Sequence, residues 1–467
     1  MHLKKTALIV VLALILASLA CSMGGLLART EPTTAPALQA SDTPPLPTEP
    51  PAPTAPPTET ATLPPPTPSE RPAPTIFPTA AGPRPSPSPL HFQIFDEVWG
   101  AVNANYLYPD FNGLDWNAVR AQALQRIEAG MTDPEFYAML SEMIYSLGDE
   151  HSTFFSPEET RQLDAEFAGE YEYVGIGVIH TPIPERGLLS IVIVFPGSPA
   201  EQAGLKPHDN ILAVDGAPIF DEQGNRRDLL RGPAGTTIVV TVQTPGQDAR
   251  QVTITRAPVV LEMPVPHQVV LTPAGKRIGY VLIPTFNENS IDKKIAQAIQ
   301  ELSQEAPLDG LILDNRHNGG GQSEIMLNTL ANFVNGDVGY FVQHGTEDKI
   351  QVQGVDLAGS QSLSLVVLVG DGTVSFGEVF AGILQDLSRA TIIGSQTNGN
   401  TELMRVFDFS DGSRAWIATA AFRPYLHPDQ DWEATGIIPD IPAAGNWDET
   451  TFNTDPVIQA ALKFFGG

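Results

Sequence analysis

The chain has 467 residues, enough for two or three domains, and its prolines are unevenly distributed, since 21 of the 43 lie between residues 31 and 90 together with 11 threonines. Residues 91–467 hold 21 basic and 49 acidic residues and so carry the whole net charge of −28. Because nucleic-acid phosphates are also negative, this charge argues against nucleic-acid binding. The single cysteine, Cys21, excludes an intrachain disulfide and a thiolate metal cluster.

The N-terminus has the features of an export signal. Two lysines precede an apolar run, residues 7–20, which is too short to span a bilayer and suits the core of a signal peptide. The run ends in small residues before Cys21 and resembles a bacterial lipoprotein cleavage site. We therefore expect a signal peptide over residues 1–21 with lipidation of Cys21. Ordinary signal cleavage after Ala20 is the alternative.

Residues 22–90 are predicted to form a linker rich in threonine and proline. Such a composition cannot bury a core and favours an extended chain with polyproline II segments. A segment of about sixty residues would reach on the order of 190 Å at about 3.1 Å per residue. We expect it to be a spacer between a membrane anchor and a folded domain.

Residues 91–166 are predicted to form a small helical domain. The first predicted helix starts at His91, where apolar residues recur at helical spacing. The second is predicted over Trp116–Glu128, and the third begins with a capping box of Thr132 and Glu135. The turn that follows this third helix carries His151.

Residues 167–260 contain five short β-rich runs separated by turn signals, and the runs lie at residues 175–179, 189–194, 210–214, 237–243 and 251–256. Three motifs resemble those of bacterial, permuted PDZ domains, and they lie at residues 173–178, 199–206 and 209–216. The resemblance implies that the module adds a peptide C-terminus as a strand, with the carboxylate on the backbone N–H groups of Gly175, Ile176 and Gly177. A module that only packs against its neighbours is the alternative.

Residues 261–467 alternate between apolar strands and helices. This pattern predicts an α/β core with a parallel or mixed sheet covered on both faces. Ligands of such sheets lie at the carboxyl ends of the strands.

Two glycine-containing loops follow strands of this core, at residues 314–321 and 371–378. Ser375 stands where a strand turns into a helix, and the positive helix end there favours a nucleophile whose product is an oxyanion. A simple helix cap is the other interpretation of Ser375. The absence of a Gly-x-x-x-x-Gly-Lys-Ser/Thr pattern argues against phosphate binding.

The order of helical region, PDZ module and α/β core resembles that of the C-terminal processing peptidases, also called tail-specific proteases. Their Asp-x-Arg-x-Asn-Gly-Gly signature is matched at residues 314–320 and their nucleophile block at residues 366–390. The resemblance covers residues 91–443. It implies a serine peptidase with Ser375 as nucleophile, a mixed-sheet core of the crotonase-like spiral type, an inserted PDZ domain, and no metal or organic cofactor.

One position departs from this family. The processing peptidases usually carry a lysine 25 residues after the serine, where this chain has Asn400, which cannot take a proton from a hydroxyl. The related tricorn protease and chlamydial protease-like activity factor use a Ser-His-Glu arrangement, whose motifs resemble those around His151 and Glu433. The resemblance therefore implies His151 as base and Glu433 as the group that orients it.

The same resemblance implies that the backbone N–H groups of Phe376 and of Gly319 or Gly320 stabilise the oxyanion. Alternatives stay open for both residues. His151 could be structural, with His317 beside the glycines as another candidate base. Glu433 could be a solvated loop residue, with Glu402 in its place.

A metal site is not expected. The acidic residues beside His151, at positions 149 and 150, form a local cluster without distant partners.

The resulting hypothesis is an exported serine endopeptidase, lipid-anchored at the cell envelope or secreted, that recognises peptide C-termini and cleaves through an acyl-enzyme. Its expected partners are polypeptides with free C-termini and, through the lipid alone, a membrane; nucleic acid is not among them. A catalytically inactive pseudo-protease that binds peptides through its PDZ domain is the alternative.

Overall fold

The computed structural model describes residues 84–149, 151–167, 173–260 and 262–466. The predicted signal peptide with Cys21 and the linker as far as residue 83 lie outside the described residues. Within the described ranges, no helix combines the length and apolar character needed to cross a bilayer.

The N-terminal part of the described chain is helical. Its four helices are α1 (Pro89–Asn105), α2 (Trp116–Glu128), α3 (Asp133–Tyr145) and α4 (Pro157–Phe167). The prediction for α2 is confirmed at both ends, because Asp115 accepts a hydrogen bond from the Ala118 amide at its start and Gly130, with φ +79°, follows its end. Because α1 begins at Pro89, the last two residues assigned to the linker belong to this helix.

A short strand joins the helical region to the C-terminal part of the chain. β1 (Thr153–Phe155) pairs antiparallel with β18 (Arg414–Pro424), and Phe154 lies opposite Ala415. Buried side chains of α1, α2 and α3 share one apolar cluster with side chains of β18. Since His151 precedes β1 by two residues, this pairing fixes its position against the core.

Residues 173–260 form a β-rich module. Its strands are β2 (Tyr173–Gly175), β3 (Val178–Ile183), β4 (Leu188–Val194), β5 (Asn210–Val214), β6 (Ala217–Pro218), β7 (Thr237–Gln243), β8 (Arg250–Thr255) and β9 (Ala257–Val259). The main sheet has the order β3-β4-β5-β7-β8, and β2 pairs separately with β9. The prediction of one strand over residues 175–179 is wrong, because Gly177, with φ +80°, turns the chain between β2 and β3.

The C-terminal part is built on a six-stranded sheet of order β10-β11-β12-β15-β16-β19. These strands are β10 (His267–Leu271), β11 (Arg277–Leu282), β12 (Gly310–Asp314), β15 (Leu365–Val369), β16 (Thr391–Gly394) and β19 (Ile441–Pro442). β10 pairs antiparallel with β11, and the other strand pairs are parallel.

Both faces of this sheet are covered. The helices are α5 (Pro199–Gln202) in the β-rich module and, in the core, α6 (Ile291–Leu302), α7 (Ser323–Leu330), α8 (Phe376–Asp386), α9 (Trp432–Thr435) and α10 (Pro456–Phe464). Side chains of α6, α7 and α8 pack on one face, and those of α10 and β4 pack on the other. The prediction of a mixed α/β core is confirmed.

A second sheet was not predicted. It contains β13 (Gly336–Gln343), β14 (Thr346–Val352) and β17 (Leu403–Asp408) beside β1 and β18, in the order β1-β18-β13-β14 with β17 on β18. Charged and exposed residues dominate β14, so its sequence lacks the apolar alternation that signals a strand.

Candidate active site

Two loops at adjacent strand ends define the site. The glycine loop (residues 314–321) follows β12, and the serine loop (residues 371–378) follows β15, which is the parallel neighbour of β12. Three hydrogen bonds join the loops: Val374 N to Asn318 O (3.0 Å), Asn315 Nδ2 to Gly377 O (2.8 Å) and Thr373 Oγ1 to Asn315 O (2.9 Å). The parallel register therefore brings together the two motifs found in the sequence.

A buried ion-pair network fixes the glycine loop. Arg316 donates to both carboxylate oxygens of Asp314 (2.9 and 2.7 Å) and to Asp455 Oδ2 (2.7 Å), and the Tyr280 hydroxyl also donates to Asp314 (2.8 Å). Burial raises the pKa of Asp314, but the charge and hydrogen bonds of Arg316 outweigh it and hold this pKa below its usual range. The signature aspartate and arginine thus hold the loop in place.

Ser375 lies at the N-terminus of α8 in a strained conformation. Its φ of 56° and ψ of −128° are unusual for a residue with a side chain. The Ser375 amide donates to Glu378 Oε2 at 3.1 Å, which holds the turn. Gly320 lies directly against it, since a Cβ at position 320 would stand 2.6 Å from Ser375 Cβ and 2.9 Å from Phe376 N.

The three amides predicted to stabilise an oxyanion differ in their hydrogen bonding. The Gly320 amide already donates to Asn318 Oδ1 at 2.9 Å. The amides of Gly319 and Phe376 donate to no acceptor within the described part of the chain. Among the described residues, the amides of Gly319 and Phe376 thus remain available to an oxyanion, whereas the amide of Gly320 is already bonded.

His151 and Glu433 are in direct contact. His151 Nε2 and Glu433 Oε1 are 2.7 Å apart, although 282 residues separate them in sequence. The other Glu433 oxygen accepts from the Thr401 amide at 2.6 Å, and the His151 amide donates to Asp149 Oδ1 at 2.8 Å. The structure thus brings together two of the three residues of the predicted triad.

The electrostatics of this pair favour a charged imidazole. Burial disfavours the imidazolium, but the hydrogen bond and charge of Glu433, with smaller contributions from Glu402 and Asp149, raise the pKa of His151. Burial likewise opposes the Glu433 carboxylate, yet its bonds to His151 and Thr401 lower its pKa.

Glu402 is a second carboxylate beside the same imidazole. Its Oε2 lies 3.8 Å from His151 Nε2 and has no hydrogen-bond partner among the described residues, while Oε1 accepts from the Tyr108 hydroxyl. Burial raises the pKa of Glu402 to about 7, and the nearby charge of Glu433 adds to the effect.

The same three side chains also have the donor types of a metal site. Their ligand atoms lie within 4.8 Å of one another, and imidazole and carboxylate are groups that a divalent cation accepts.

The loop around Asn400 is hydrogen-bonded to both parts of the site. On one side, the Thr401 amide donates to Glu433 Oε2 at 2.6 Å. The Gly399 amide donates to Glu378 Oε1 at 2.9 Å, and Glu378 in turn binds the Ser375 amide. No hydrogen bond joins the Ser375 hydroxyl to His151 in the described ranges. Glu378 and the Asn400 loop therefore connect the turn at Ser375 to the His151–Glu433 pair through hydrogen bonds.

Comparisons with known proteins agree with this architecture. Residues 91–145 match the tricorn protease C1 domain, residues 193–244 a PDZ domain and residues 277–443 peptidase family S41. A carboxyl-terminal-processing protease of Synechocystis sp. is 32% identical over 79% of this chain and 85% of that protein. The chain belongs to this family of processing proteases.

Further relatives extend the match. Carboxyl-terminal-processing peptidase 2 of Arabidopsis thaliana, a chloroplastic protein, is 29% identical over 75% of this chain and 68% of its own length. The solved structure of a photosystem II D1 C-terminal processing protease has a TM-score of 0.53 and 29% identity, covering 76% of this chain and 93% of that one. This processing protease is therefore a serine peptidase with a PDZ domain.

The loop predicted to hold a peptide carboxylate is buried in the PDZ domain of this processing protease. Ile176 O accepts from the Ala200 amide at 2.8 Å and Gly177 O accepts from the Phe195 amide at 3.1 Å. A Cβ on Gly177 would stand 2.4 Å from Ser198 Cβ, so glycine is required for this close packing. The carbonyl groups of Ile176 and Gly177 are thereby fixed towards the domain interior.

Sequence reasoning missed three residues of the site. Tyr108 lies in the loop after α1 and Asp455 caps the N-terminus of α10, and neither belongs to a motif that points to the site. Glu378 had a signal, because a glutamate three residues after an N-terminal serine fits a capping box.

Proposed function

We propose that this processing protease is an endopeptidase in which Ser375 is the nucleophile, His151 the general base and Glu433 the group that orients the imidazole. The observation that carries the proposal is the 2.7 Å contact between His151 and Glu433 in a chain that has Asn400 where its family has a lysine. With Nε2 held by Glu433, Nδ1 is the nitrogen that exchanges a proton with the serine.

The reaction runs in two steps. Ser375 Oγ bonds to the peptide carbonyl carbon while its proton passes to His151, and the amides of Gly319 and Phe376 stabilise the oxyanion. Collapse breaks the C–N bond, His151 protonates the leaving amine, and an acyl-enzyme remains. Water activated by His151 then releases the acyl group. The mechanism requires that substrate binding brings Ser375 into hydrogen-bond reach of His151, as in other sites that assemble on binding.

The other domains deliver substrate and position the enzyme. The PDZ domain captures a polypeptide C-terminus as an added strand, with its carboxylate on Gly175, Ile176 and Gly177. Residues 1–21 direct export and Cys21 carries the lipid, so that the linker tethers the protease to the outer face of a membrane.

Cleavage of a peptide with a free C-terminus tests the enzymatic proposal. Wild-type protein should cleave it and become labelled at Ser375 by a fluorophosphonate, whereas Ser375→Ala should do neither while retaining its fold by circular dichroism. Equal cleavage by the two proteins would exclude Ser375 as nucleophile.

A member of this serine-peptidase family that has lost its activity and only binds peptides is the second candidate function. It is favoured by Asn400 and by the lack of a hydrogen bond between the Ser375 hydroxyl and His151 among the described residues. It predicts peptide binding without cleavage and without labelling of wild-type protein.

A further inference from the structure

A groove lies beside the edge strand of the PDZ sheet. β3 has a neighbour on one side only among the described strands of its sheet, namely β4, so its other edge can accept a peptide strand. A cavity of about 260 Å³ lies along this edge, between β3 and residues 226–231. Its floor is apolar and includes Leu189 and Leu230.

The groove ends at the predicted carboxylate-binding loop. Val178, the residue after this loop, lines the groove, and the amide of Gly232, which follows Arg231, approaches Val174 O at 3.4 Å. A peptide that adds to β3 with its carboxylate on this loop would therefore run past the side chains of residues 226–231.

The rim of the groove is positively charged. Arg226, Arg227 and Arg231 line it and are exposed, and Asp228 is the one acidic residue among the described residues that line it. Arg231 lies 3.7 Å from Asp228, and Arg227 approaches the Pro218 carbonyl at 3.5 Å. The three arginines and one aspartate give the rim a net charge of +2 along the expected path of the peptide.

This charge contrasts with the rest of the folded chain. Residues 173–260 hold seven basic and eight acidic residues, whereas the rest of residues 91–467 holds 14 basic and 41 acidic ones. An acidic peptide is therefore repelled by most of the surface and attracted at this groove, which favours both its selection and its orientation.

We propose that the PDZ groove selects substrates that carry acidic side chains just before their C-terminus. The inference rests on the proposed capture of C-termini by this domain. Guanidinium groups bind carboxylates through paired hydrogen bonds, so three arginines can contact the carboxylates of a strand held along β3.

Peptide binding to the full chain with Ser375→Ala tests the inference, because that variant leaves the ligand intact. Three fluorescent peptides share an apolar C-terminal residue and differ in having acidic, neutral or basic residues before it, and a fourth is the acidic peptide with an amidated C-terminus. We expect the acidic peptide to bind about tenfold more tightly than the neutral one at low salt. This difference in affinity should become smaller at high salt, because salt screens the charges. Amidation should weaken binding.

A charge-reversed variant, Arg226→Glu with Arg231→Glu, should lose the preference and still bind the neutral peptide. Arg161→Glu, which reverses an exposed arginine of α4 that does not line the groove, is the matched control and should keep the preference.

The outcomes separate the inference from the function on which it rests. Equal binding of all three free peptides, with weaker binding of the amide, would overturn the inference and leave C-terminal capture intact. Equal binding of the amidated and free acidic peptides would overturn C-terminal capture itself, and the inference with it. If the double variant does not fold, a wild-type preference that is insensitive to salt overturns the inference on its own.

Discussion

Two carboxylates face one imidazole, and their surroundings shift their pKa values in opposite directions. Glu433 accepts from a backbone amide and from His151, whereas Glu402 is buried and its Oε2 lacks a partner. The pKa of Glu433 is therefore lowered and that of Glu402 is raised to about 7. Carboxylates separated in this way take different roles, and here Glu433 is the charged partner of His151.

Glu402→Gln should make stability less dependent on pH. Because the pKa of Glu402 is raised on folding, its favourable contribution is present below the unfolded-state value of 4.5 and is lost as pH rises through about 7. Wild type should thus be less stable than the variant at pH 8, by up to about 3 kcal/mol, and the difference should vanish towards pH 4.5. Chemical denaturation at several pH values measures it.

The control for this prediction is Glu347→Gln, which neutralises an exposed glutamate on β14. A stability difference between wild type and Glu402→Gln that does not change with pH would contradict the prediction.

Glu433→Gln should change the pH profile of peptidase activity. His151 must be neutral to act as a base, and the Glu433 charge raises its pKa, so the acidic limb of kcat/KM should move to lower pH in the variant. The maximal rate should fall as well, because the amide no longer fixes the imidazole tautomer. An acidic limb at the same pH in both proteins would show that Glu433 does not act on the catalytic base. The profile is measured with a peptide that has a free C-terminus.

The site depends on elements that approach each other closely. The glycine and serine loops leave neighbouring parallel strands, and Gly320 contacts Ser375 with no room for a side chain. Backbone hydrogen bonds between the loops and the Arg316 network hold this arrangement. These contacts therefore stabilise the unfavourable backbone conformation of Ser375.

Gly320→Ala should abolish peptidase activity while the protein stays folded. Its φ of +86° disfavours a side chain, and the added Cβ would displace Ser375 and the Phe376 amide. Gly370→Ala is the matched control, because its Cβ would meet Arg316 Cγ at an ordinary 3.7 Å. Peptidase assays measure the activity of both variants, and circular dichroism checks that they are folded. An active Gly320→Ala enzyme would contradict the described packing.

At the level of elements, local signals predicted much of the fold. Caps and glycines marked α2, and dense apolar runs marked strands such as β15. The sheet of β1, β13, β14, β17 and β18 was missed because it pairs segments that lie far apart in the chain and because β14 is charged and exposed. The contact of His151 with Glu433 agrees with the motif resemblance, whereas the positions of Tyr108 and Glu402 depend on tertiary packing that no local pattern encodes.

The whole molecule arranges three parts around the active site. The helical region carries His151 and is fastened to the core by β1, while β4 of the PDZ domain packs on the sheet face opposite α8. His208 of the PDZ domain stacks on Trp447 at 3.7 Å, and Trp447 also lies 5.3 Å from the Arg316 guanidinium. Trp447 thus connects the domain that is proposed to bind substrate to the network that fixes the glycine loop.

Cys21→Ser should release the protein from the membrane. If Cys21 carries the lipid, the variant loses its hydrophobic anchor, and the linker with the folded domains should appear in the soluble fraction. Fractionation of cells expressing each form, with peptidase activity as the control for folding, measures the change. Wild-type protein found only in the soluble fraction would contradict lipidation.

The identity of the base is the central claim, and the turnover of two alanine variants tests it most directly. His151→Ala should lower kcat by about four orders of magnitude or more, whereas Asn400→Ala should stay within about twofold of wild type. An active His151→Ala enzyme together with an inactive Asn400→Ala enzyme would contradict the Ser375–His151–Glu433 assignment.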